Sequence, residues 1–387
     1  MPPRIDEKQL AFFGAFCMFL STLEMLIPRP LPFLRIGLAN LPLLVSLRLR
    51  PPRFTLALCL LKILGQALVG GSLFSYIFFF SAAGSLASAA LMLGCGHLFG
   101  TRMSLAGIGV MGSLASNVTQ IILARFFFLG EGAFLIAPAF LAIGAAAGFL
   151  LGLFAQEAVE TSEWIHTLAS PPESVRAGGQ WPLGGRPARD ASRLPYFIFI
   201  CGFVSIFPFV FTGSLAAKAF LAALYMALAG FAGRKIRILP NFVLLLSVTA
   251  LHCLRPLGEV LLMLGTWPLT QGALESGLIK ALTLTGLVYL SRLTVKPELR
   301  FPGRAGEIFS TMLSDFERIT SCGIQIRRGD FRASLDRLFA AVYEPGGSRT
   351  PPEVSSPGAG RAFFRYALWT VFTLTNWAVY AAAAWYT

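Results

Sequence analysis

Seven polar side chains lie in or at the edge of apolar stretches that are long enough to cross a bilayer. They are Glu24, Arg35, Asn40, Lys62, Asn117, Gln120 and Arg125. An ionisable or amide group in hydrocarbon is costly, so it usually faces a bundle interior or a water-filled cavity. Carboxylate, ammonium, guanidinium and amide groups can hold a small polar or charged molecule. These seven residues are therefore our candidates for ligand binding.

Two other interpretations of these residues stay open. Glu24 and Lys62 could neutralise each other, and Arg35 and Arg125 could extend to lipid headgroups.

The composition predicts that membrane-spanning helices position these side chains. The chain has 387 residues, of which 55% are apolar and 13% are charged, and its mean hydropathy is +0.68. A soluble domain is nearer to about 25% charged, and one span takes about 20 apolar residues. Eleven candidate spans lie at roughly 9–27, 33–49, 54–70, 73–95, 104–128, 133–155, 195–212, 214–232, 239–254, 272–291 and 363–386. We predict an all-α, polytopic integral membrane protein with two helix bundles.

Basic residues are distributed unevenly between the connecting segments. With a cytoplasmic N-terminus, most of the 32 Lys and Arg residues fall in segments on the inside. This is the positive-inside asymmetry. It accounts for the net charge of +13 without a nucleic-acid partner, and it predicts a multi-pass protein of the inner (cytoplasmic) membrane.

Alternating crossings set the depth of the polar residues. Glu24 falls near the outer face, Lys62 and Asn117 near the middle of their spans, and Gln66 and Gln120 above them, so the polar groups gather in the outer half of the first six spans. Positive charge exceeds negative charge at the outer mouth, where Arg29, Arg35 and Arg125 face Glu24 and Glu131. The expected ligand is therefore a small polar or anionic molecule taken from outside.

Turn-forming residues divide the chain. We predict a six-helix domain at 1–156, a cytoplasmic linker at 157–194, a second bundle at 195–291, a basic cytoplasmic segment at 292–362 and a last helix at 363–387. The basic segment contains an amphipathic stretch around Ile308–Leu338. Segment 255–271 is apolar but contains Pro and Gly, so we expect an outside loop or a re-entrant piece.

Small residues recur four positions apart in several spans, as in Ala11 and Ala15 of the first. This spacing lets helices approach closely. It fits either ordinary packing within the chain or docking of another membrane subunit.

The sequence offers little support for catalysis. It has no GxxxxGK[ST] phosphate loop, no Cys/His metal cluster and no aspartate-rich magnesium motif. The histidines are isolated, and the six cysteines are scattered. We expect no cofactor, no metal site and no catalytic residue.

Four stretches together resemble a known family, the Gx transporter family, which is also labelled heptaprenyl diphosphate synthase component I. They are IGLANLPLL at 36–44, LKILGQALVGG at 61–71, FFFSAAGSLASAALM at 78–92 and GVMGSLASNVTQIILA at 109–124. The family often has a His where this chain has Ser116. The family is similar to the S components of energy-coupling-factor (ECF) transporters, which are six-helix proteins that capture vitamins or metals from outside.

This resemblance also implies docking partners. In S components an Ala-xxx-Ala face on the first helix docks onto the transmembrane coupling subunit, and Ala11 and Ala15 match that spacing. Residues 195–320 more faintly resemble the T component of the same transporters. The T component grips ABC-type ATPase subunits through an Ala-Arg-Gly signature, to which Arg327 and Arg328 are the nearest candidates.

Three functions remain open from the sequence. The first is a transport component that takes a small molecule from outside and couples its uptake to separate ATPases. The second is a non-catalytic membrane subunit of a polyprenyl diphosphate synthase. The third is a structural protein without a ligand, in which Asn40, Asn117 and Gln120 bond only to backbone carbonyls or to each other.

Overall fold

The computed structural model describes residues 7–26, 37–161, 194–233, 236, 238–253, 258–264, 267–295, 303–321 and 359–386. Twelve α-helices lie in these ranges: α1 Glu7–Leu26, α2 Leu41–Leu49, α3 Pro52–Val69, α4 Tyr76–Phe99, α5 Leu105–Ala124, α6 Ala133–Thr161, α7 Leu194–Phe211, α8 Leu215–Phe231, α9 Ile238–Cys253, α10 Gln271–Thr294, α11 Gly303–Ser321 and α12 Ala359–Tyr386.

The predicted helical membrane protein is supported, but the count of eleven spans is not confirmed. Five described helices are both long and apolar enough to cross a membrane, namely α4, α5 with the turn after it, α6, α7 and α10. The helices at Leu38–Leu49, Leu215–Phe231 and Asn241–Cys253 are apolar but shorter. These three helices are short for a span, because a helix rises about 1.5 Å per residue against a hydrocarbon layer of about 30 Å.

Glycines bring the backbones of α5 and α6 into direct contact. A Cβ atom on Gly109 would lie 2.4 Å from the carbonyl oxygen of Gly148. A Cβ atom on Gly152 would lie 2.4 Å from the Cα atom of Ala106. Backbone atoms cannot move away as the end of a flexible side chain can, so these glycines fix the distance between α5 and α6. This helix pair forms one wall of the first block, by which we mean helices α1–α6.

The amphipathic helix α11 packs against α1 and α3. Its Phe309 and Met312 are buried in the same apolar core as Phe13 of α1. A Cβ atom on Gly14 would lie 2.6 Å from Met312 Sδ, and one on Gly65 would lie 2.8 Å from Met312 Cε. The sequence predicted an amphipathic stretch within a cytoplasmic segment. The structure gives its apolar face a partner in the first block.

The contact between α1 and α11 can be tested by cross-linking. We expect the pair Gly14→Cys and Met312→Cys to form a disulfide in isolated membranes under mild oxidation, because Met312 fills the space beside Gly14. The measurement is mass spectrometry of the cross-linked peptides. The matched control is Gly96→Cys with Met312→Cys, since nothing lies within 4 Å of a Cβ atom on Gly96. Equal cross-linking of both pairs would rule out the packing described here.

Four helices, α7, α8, α10 and α12, share one apolar core. We call helices α7–α10 together with α12 the second block. Phe209, Tyr225, Leu290 and Phe372 are buried together in this core. The Tyr225 hydroxyl donates to Asn376 Oδ1, and Asn376 Nδ2 donates to the carbonyl oxygen of Phe372 at 2.8 Å. A fully buried polar pair thus fixes α12 against α8.

Asn376→Leu should destabilise the protein by about 1–3 kcal/mol, because the Tyr225 hydroxyl is then buried without its acceptor. The double variant Tyr225→Phe with Asn376→Leu should recover part of this loss, since both polar partners are then removed. Thermal unfolding in detergent measures both effects. Additive losses in the double variant would show that the two side chains do not interact.

The segment between α9 and α10 forms a β-hairpin. Strands β1 (Val260–Leu264) and β2 (Trp267–Thr270) pair antiparallel, and Gln271 N donates to the carbonyl oxygen of Glu259 at 2.9 Å at the base. The expected loop or re-entrant piece is therefore a two-stranded sheet, so the fold is not purely helical. The apolar run is too short for a spanning helix, and pairing satisfies half of its backbone groups.

The two blocks touch at the α3–α4 turn. Phe74 N donates to Ser291 Oγ near the end of α10 at 3.0 Å, and the Phe74 ring packs on Phe199 of α7 with centroids 4.9 Å apart. Strict alternation places this turn outside and the end of α10 inside. The contact therefore conflicts with the depths that the sequence predicted for these two points.

Candidate ligand site

A tight turn at Gly37–Asn40 leads into α2. Gly37 has φ +86°, a left-handed conformation that favours glycine. Residues Leu38–Asn40 then form a 3₁₀ turn, in which Asn40 N donates to the carbonyl oxygen of Gly37 at 2.8 Å. The Glu24 carboxylate accepts from Gly37 N at 3.1 Å. Gly37, the first residue of the Gly-Leu-Ala-Asn run, thus donates its backbone N–H to Glu24. Asn40, the last residue of the run, accepts from Lys62 through its side-chain oxygen.

Lys62 of α3 is the charged residue that contacts the side-chain amide of Asn40. Its Nζ donates to Asn40 Oδ1 and, at 3.2 Å, to Ser85 Oγ on α4. Its side chain is 4% exposed, and that of Glu24 is 3% exposed. The turn, α3 and α4 therefore converge on one buried ammonium. We call Glu24, Gly37, Asn40, Lys62 and Ser85 the Lys62 cluster.

The Lys62 cluster contains one acidic and one basic side chain, Glu24 and Lys62. They contact the two ends of the same short turn, at Gly37 and at Asn40. A buried ammonium attracts an anionic group strongly, because screening is weak away from water. Glu24 lies at the opposite side of the turn and can accept from a donor on the same ligand. This arrangement is suited to binding and orienting a polar molecule. It also places an amine, Lys62 Nζ, 3.2 Å from a hydroxyl, Ser85 Oγ.

Gln66 lies one helical turn beyond Lys62 on α3 and is also buried. Its Oε1 has no hydrogen-bond partner among the described residues. Residues four apart on a helix share a face, so Gln66 extends the polar surface that begins at Lys62. Neither Gln66 nor Ser85 was among the candidates predicted from the sequence. The spacing from Lys62 is a usable signal for Gln66, whereas Ser85 is one of several small residues on α4.

Two other predicted residues lie outside the Lys62 cluster. Asn117 turns towards α6, where its Nδ2 donates to the carbonyl oxygen of Phe140 at 3.0 Å. Gln120 Nε2 donates to Ser116 Oγ at 3.1 Å, beside Gly84 of α4. The hydrogen bond from Asn117 to a backbone carbonyl is the kind expected for the third function, a structural protein without a ligand. Ser116, which replaces the His frequent in the Gx family, serves here as the acceptor for Gln120.

Of the four arginines predicted as site residues, the structure describes one. Arg125 is exposed on the π-helical turn Arg125–Leu129, and its guanidinium carbon lies 4.7 Å from the centre of the Phe134 ring. The structure thus places Arg125 at the surface and away from the other candidates. Arg35 lies outside the described residues, and so do Arg327 and Arg328.

Ala11 and Ala15 are fully buried on α1. A helix turns about 100° per residue, so both lie within about 100° of Gly14, which Met312 of α11 covers. This side of α1 is therefore occupied from within the same chain. Docking of a separate subunit through Ala11 and Ala15 stays a prediction. Among the described residues, no three His, Cys, Asp or Glu side chains are close enough to hold a metal ion.

Residues 13–158 match the family model for heptaprenyl diphosphate synthase component I. This component I region runs from α1 to α6 and contains the whole Lys62 cluster. Residues 194–297 match a domain of unknown function (DUF8519). No curated protein and no solved structure matches the chain.

The resemblance to the family labelled component I is therefore confirmed. The similarity of that region to ECF S components, and of the second block to a T component, stays a prediction.

Proposed function

We propose that the component I region binds a small anionic molecule inside the membrane, at the Lys62 cluster. The observation that carries this proposal is the buried Lys62 ammonium, which Asn40 and Ser85 orient from two separate elements. An anionic ligand would pair with the Lys62 ammonium at a place where screening by water is weak.

The family match favours one function over the other. Of the two membrane functions inferred from the sequence, it supports a non-catalytic component of a polyprenyl diphosphate synthase better than a transport component. The anionic group would then be a diphosphate, and the long prenyl chain would remain in the lipid. A separate catalytic subunit would make the carbon–carbon bonds.

Co-expression with a polyprenyl diphosphate synthase tests this function. We expect the synthase to co-purify with the full-length chain and its product length to change, as read by chromatography of the prenyl alcohols. Lys62→Met should co-purify equally but leave the product length as in the synthase alone. A synthase that neither binds the chain nor changes its products in the presence of the wild type would eliminate this assignment.

Transport is the second candidate, and the packing between the blocks favours it. Helix α11 seals the Gly14 side of α1, and Phe74 is bonded to Ser291, so movement of the second block would be transmitted to the first. Uptake would then proceed by a movement of the second block that these contacts carry to the Lys62 cluster. Separate ABC-type ATPase subunits are the proposed partners that would drive it.

Uptake into proteoliposomes distinguishes transport from the synthase function. The protein would be reconstituted with candidate ATPases and offered a panel of labelled vitamins and anionic metabolites. ATP-dependent accumulation that Lys62→Met abolishes would establish transport. Absence of uptake, combined with a change in synthase products, would leave the component I function alone.

The proposed orientation is an N-terminus in the cytoplasm of the inner membrane. The evidence is the basic residues at the turn that follows α4 and at the end of α2. Arg48 donates to the carbonyl oxygens of Gly100 and Met103 at 3.1 and 2.6 Å, so these ends lie at one face of the first block. Labelling of Arg102→Cys from the inside only would support this orientation.

A further inference from the structure

The β1–β2 hairpin is apolar on both faces. Val260, Leu261, Leu262 and Met263 are 54%, 53%, 56% and 64% exposed. The strand register shifts between Val260 and Leu262, but Leu262 and Met263 pair regularly with Leu269 and Pro268. Successive side chains of a regular strand point to opposite faces, so these two exposed residues leave both faces uncovered. A hairpin of this kind in water would present a contiguous apolar patch, which soluble surfaces rarely tolerate. Bulk water is therefore an unfavourable environment for it.

The hydrocarbon core is equally unfavourable. In the described part of the chain the sheet has two strands, so each strand has one edge of N–H and C=O groups without a sheet partner. Open sheet edges do not occur in the hydrocarbon region, where each unsatisfied backbone group costs several kcal/mol. The hairpin needs hydration along its edges and lipid against its faces.

Chain connectivity places the hairpin at a membrane surface. Strand β2 ends at Thr270, and α10 begins at the next residue. Helix α10 is one of the five described helices that can span a bilayer. The apolar faces of the hairpin thus continue directly into a membrane helix. Trp267 in β2 is of the residue type that is enriched at membrane interfaces.

We propose that the hairpin lies in the headgroup layer of the bilayer, with Leu261, Leu262 and Met263 against the upper acyl chains. Its partner is the lipid surface. The strand edges remain in the hydrated headgroup region, and the hairpin holds the α9–α10 end of the second block at that depth. This proposal is independent of the proposed ligand and of the synthase or transport function.

Depth-dependent quenching tests it in the full-length protein. Met263→Cys would carry the fluorophore NBD, with Cys253 and Cys322 replaced by Ser, in phosphatidylcholine vesicles. Spin labels would be placed on the lipid headgroup or on carbon 5 or 12 of the acyl chain. We expect the headgroup and carbon-5 labels to quench more than half of the emission, and the carbon-12 label and aqueous iodide to quench little. Leu150→Cys, exposed in the middle of α6, is the deep control and should be quenched most by the carbon-12 label.

Three outcomes would overturn the proposal. Dominant iodide quenching at Met263 would place the hairpin in water. Dominant carbon-12 quenching would place it in hydrocarbon. Protection from both lipid and aqueous quenchers would mean that protein covers it, and cross-linking between copies through the same cysteine would then identify a second chain as the occupant.

Discussion

Gly109→Ala lowers the stability of the protein by about 2 kcal/mol in our expectation, although alanine is the better helix former. The added Cβ atom would lie 2.4 Å from the carbonyl oxygen of Gly148, so α5 and α6 must separate. Overpacking of this kind costs about 1–3 kcal/mol. It outweighs the gain of about 0.5–1 kcal/mol from replacing a helical glycine. Gly109→Leu should prevent accumulation of folded protein.

Thermal unfolding in one detergent, with Gly94→Ala as the matched control, measures the effect. Gly94 lies on α4, and nothing lies within 4 Å of a Cβ atom built on it. Gly94→Ala should therefore unfold at the same temperature as the wild type or slightly above it. If the two alanine variants were equally stable, the close approach of α5 and α6 would be disproved.

Lys62→Met should abolish the response of the protein to its anionic ligand. Losing one partner of a buried, hydrogen-bonded charge pair costs about 2–5 kcal/mol of binding free energy, which is an affinity loss of about 30-fold or more. The variant should still fold, because methionine replaces the apolar length of the side chain. We expect its own stability to fall by about 1–3 kcal/mol, since Asn40 and Ser85 lose their donor.

The second block provides a matched control in Lys218→Met. Lys218 is 2% exposed and donates to the carbonyl oxygen of Val210 at 3.2 Å, so it is buried as deeply as Lys62 but belongs to another core. The measurement is ligand-induced thermal stabilisation with inorganic pyrophosphate, farnesyl diphosphate and a vitamin and metabolite panel. Both variants should lose stability, but only Lys62→Met should lose the ligand response. Loss of the response in both would indicate a general effect of unfolding.

The sequence was most informative where membrane physics leaves few choices. A long apolar stretch in lipid must be helical so that its backbone groups are satisfied, and most of the described helices follow the predicted spans closely. The predicted span 33–49 is an exception, since its described α-helix is Leu41–Leu49 only. Lys62 and Glu24 stood out because charged groups are rare in such stretches. The Gly-Leu-Ala-Asn run was singled out by resemblance, and the structure supplies its physical reason in the left-handed Gly37 and the amide of Asn40.

Other features depend on how each helix is rotated and on which helices pack against it, and the order of residues in the sequence does not contain this information. Asn117 and Gln120 are three residues apart on α5, yet one bonds to α6 and the other lies beside α4, because a small rotation changes the neighbouring helix. The amphipathic pattern of α11 indicates that one face is buried but not that α1 and α3 cover it. The run Val260–Leu264 is short and apolar, and periodicity alone does not separate a strand from a helix at that length.

Native mass spectrometry of the purified full-length protein tests the central claim most directly, because it detects any bound molecule by its mass, whatever its identity. The membrane protein would be released from detergent, and the masses of bound small molecules would be read from the adducts. We predict an anionic adduct on the wild type and on Lys218→Met that is missing from Lys62→Met. The same adduct on all three proteins, or neutral lipid adducts alone on the folded wild type, would contradict a ligand site at Lys62.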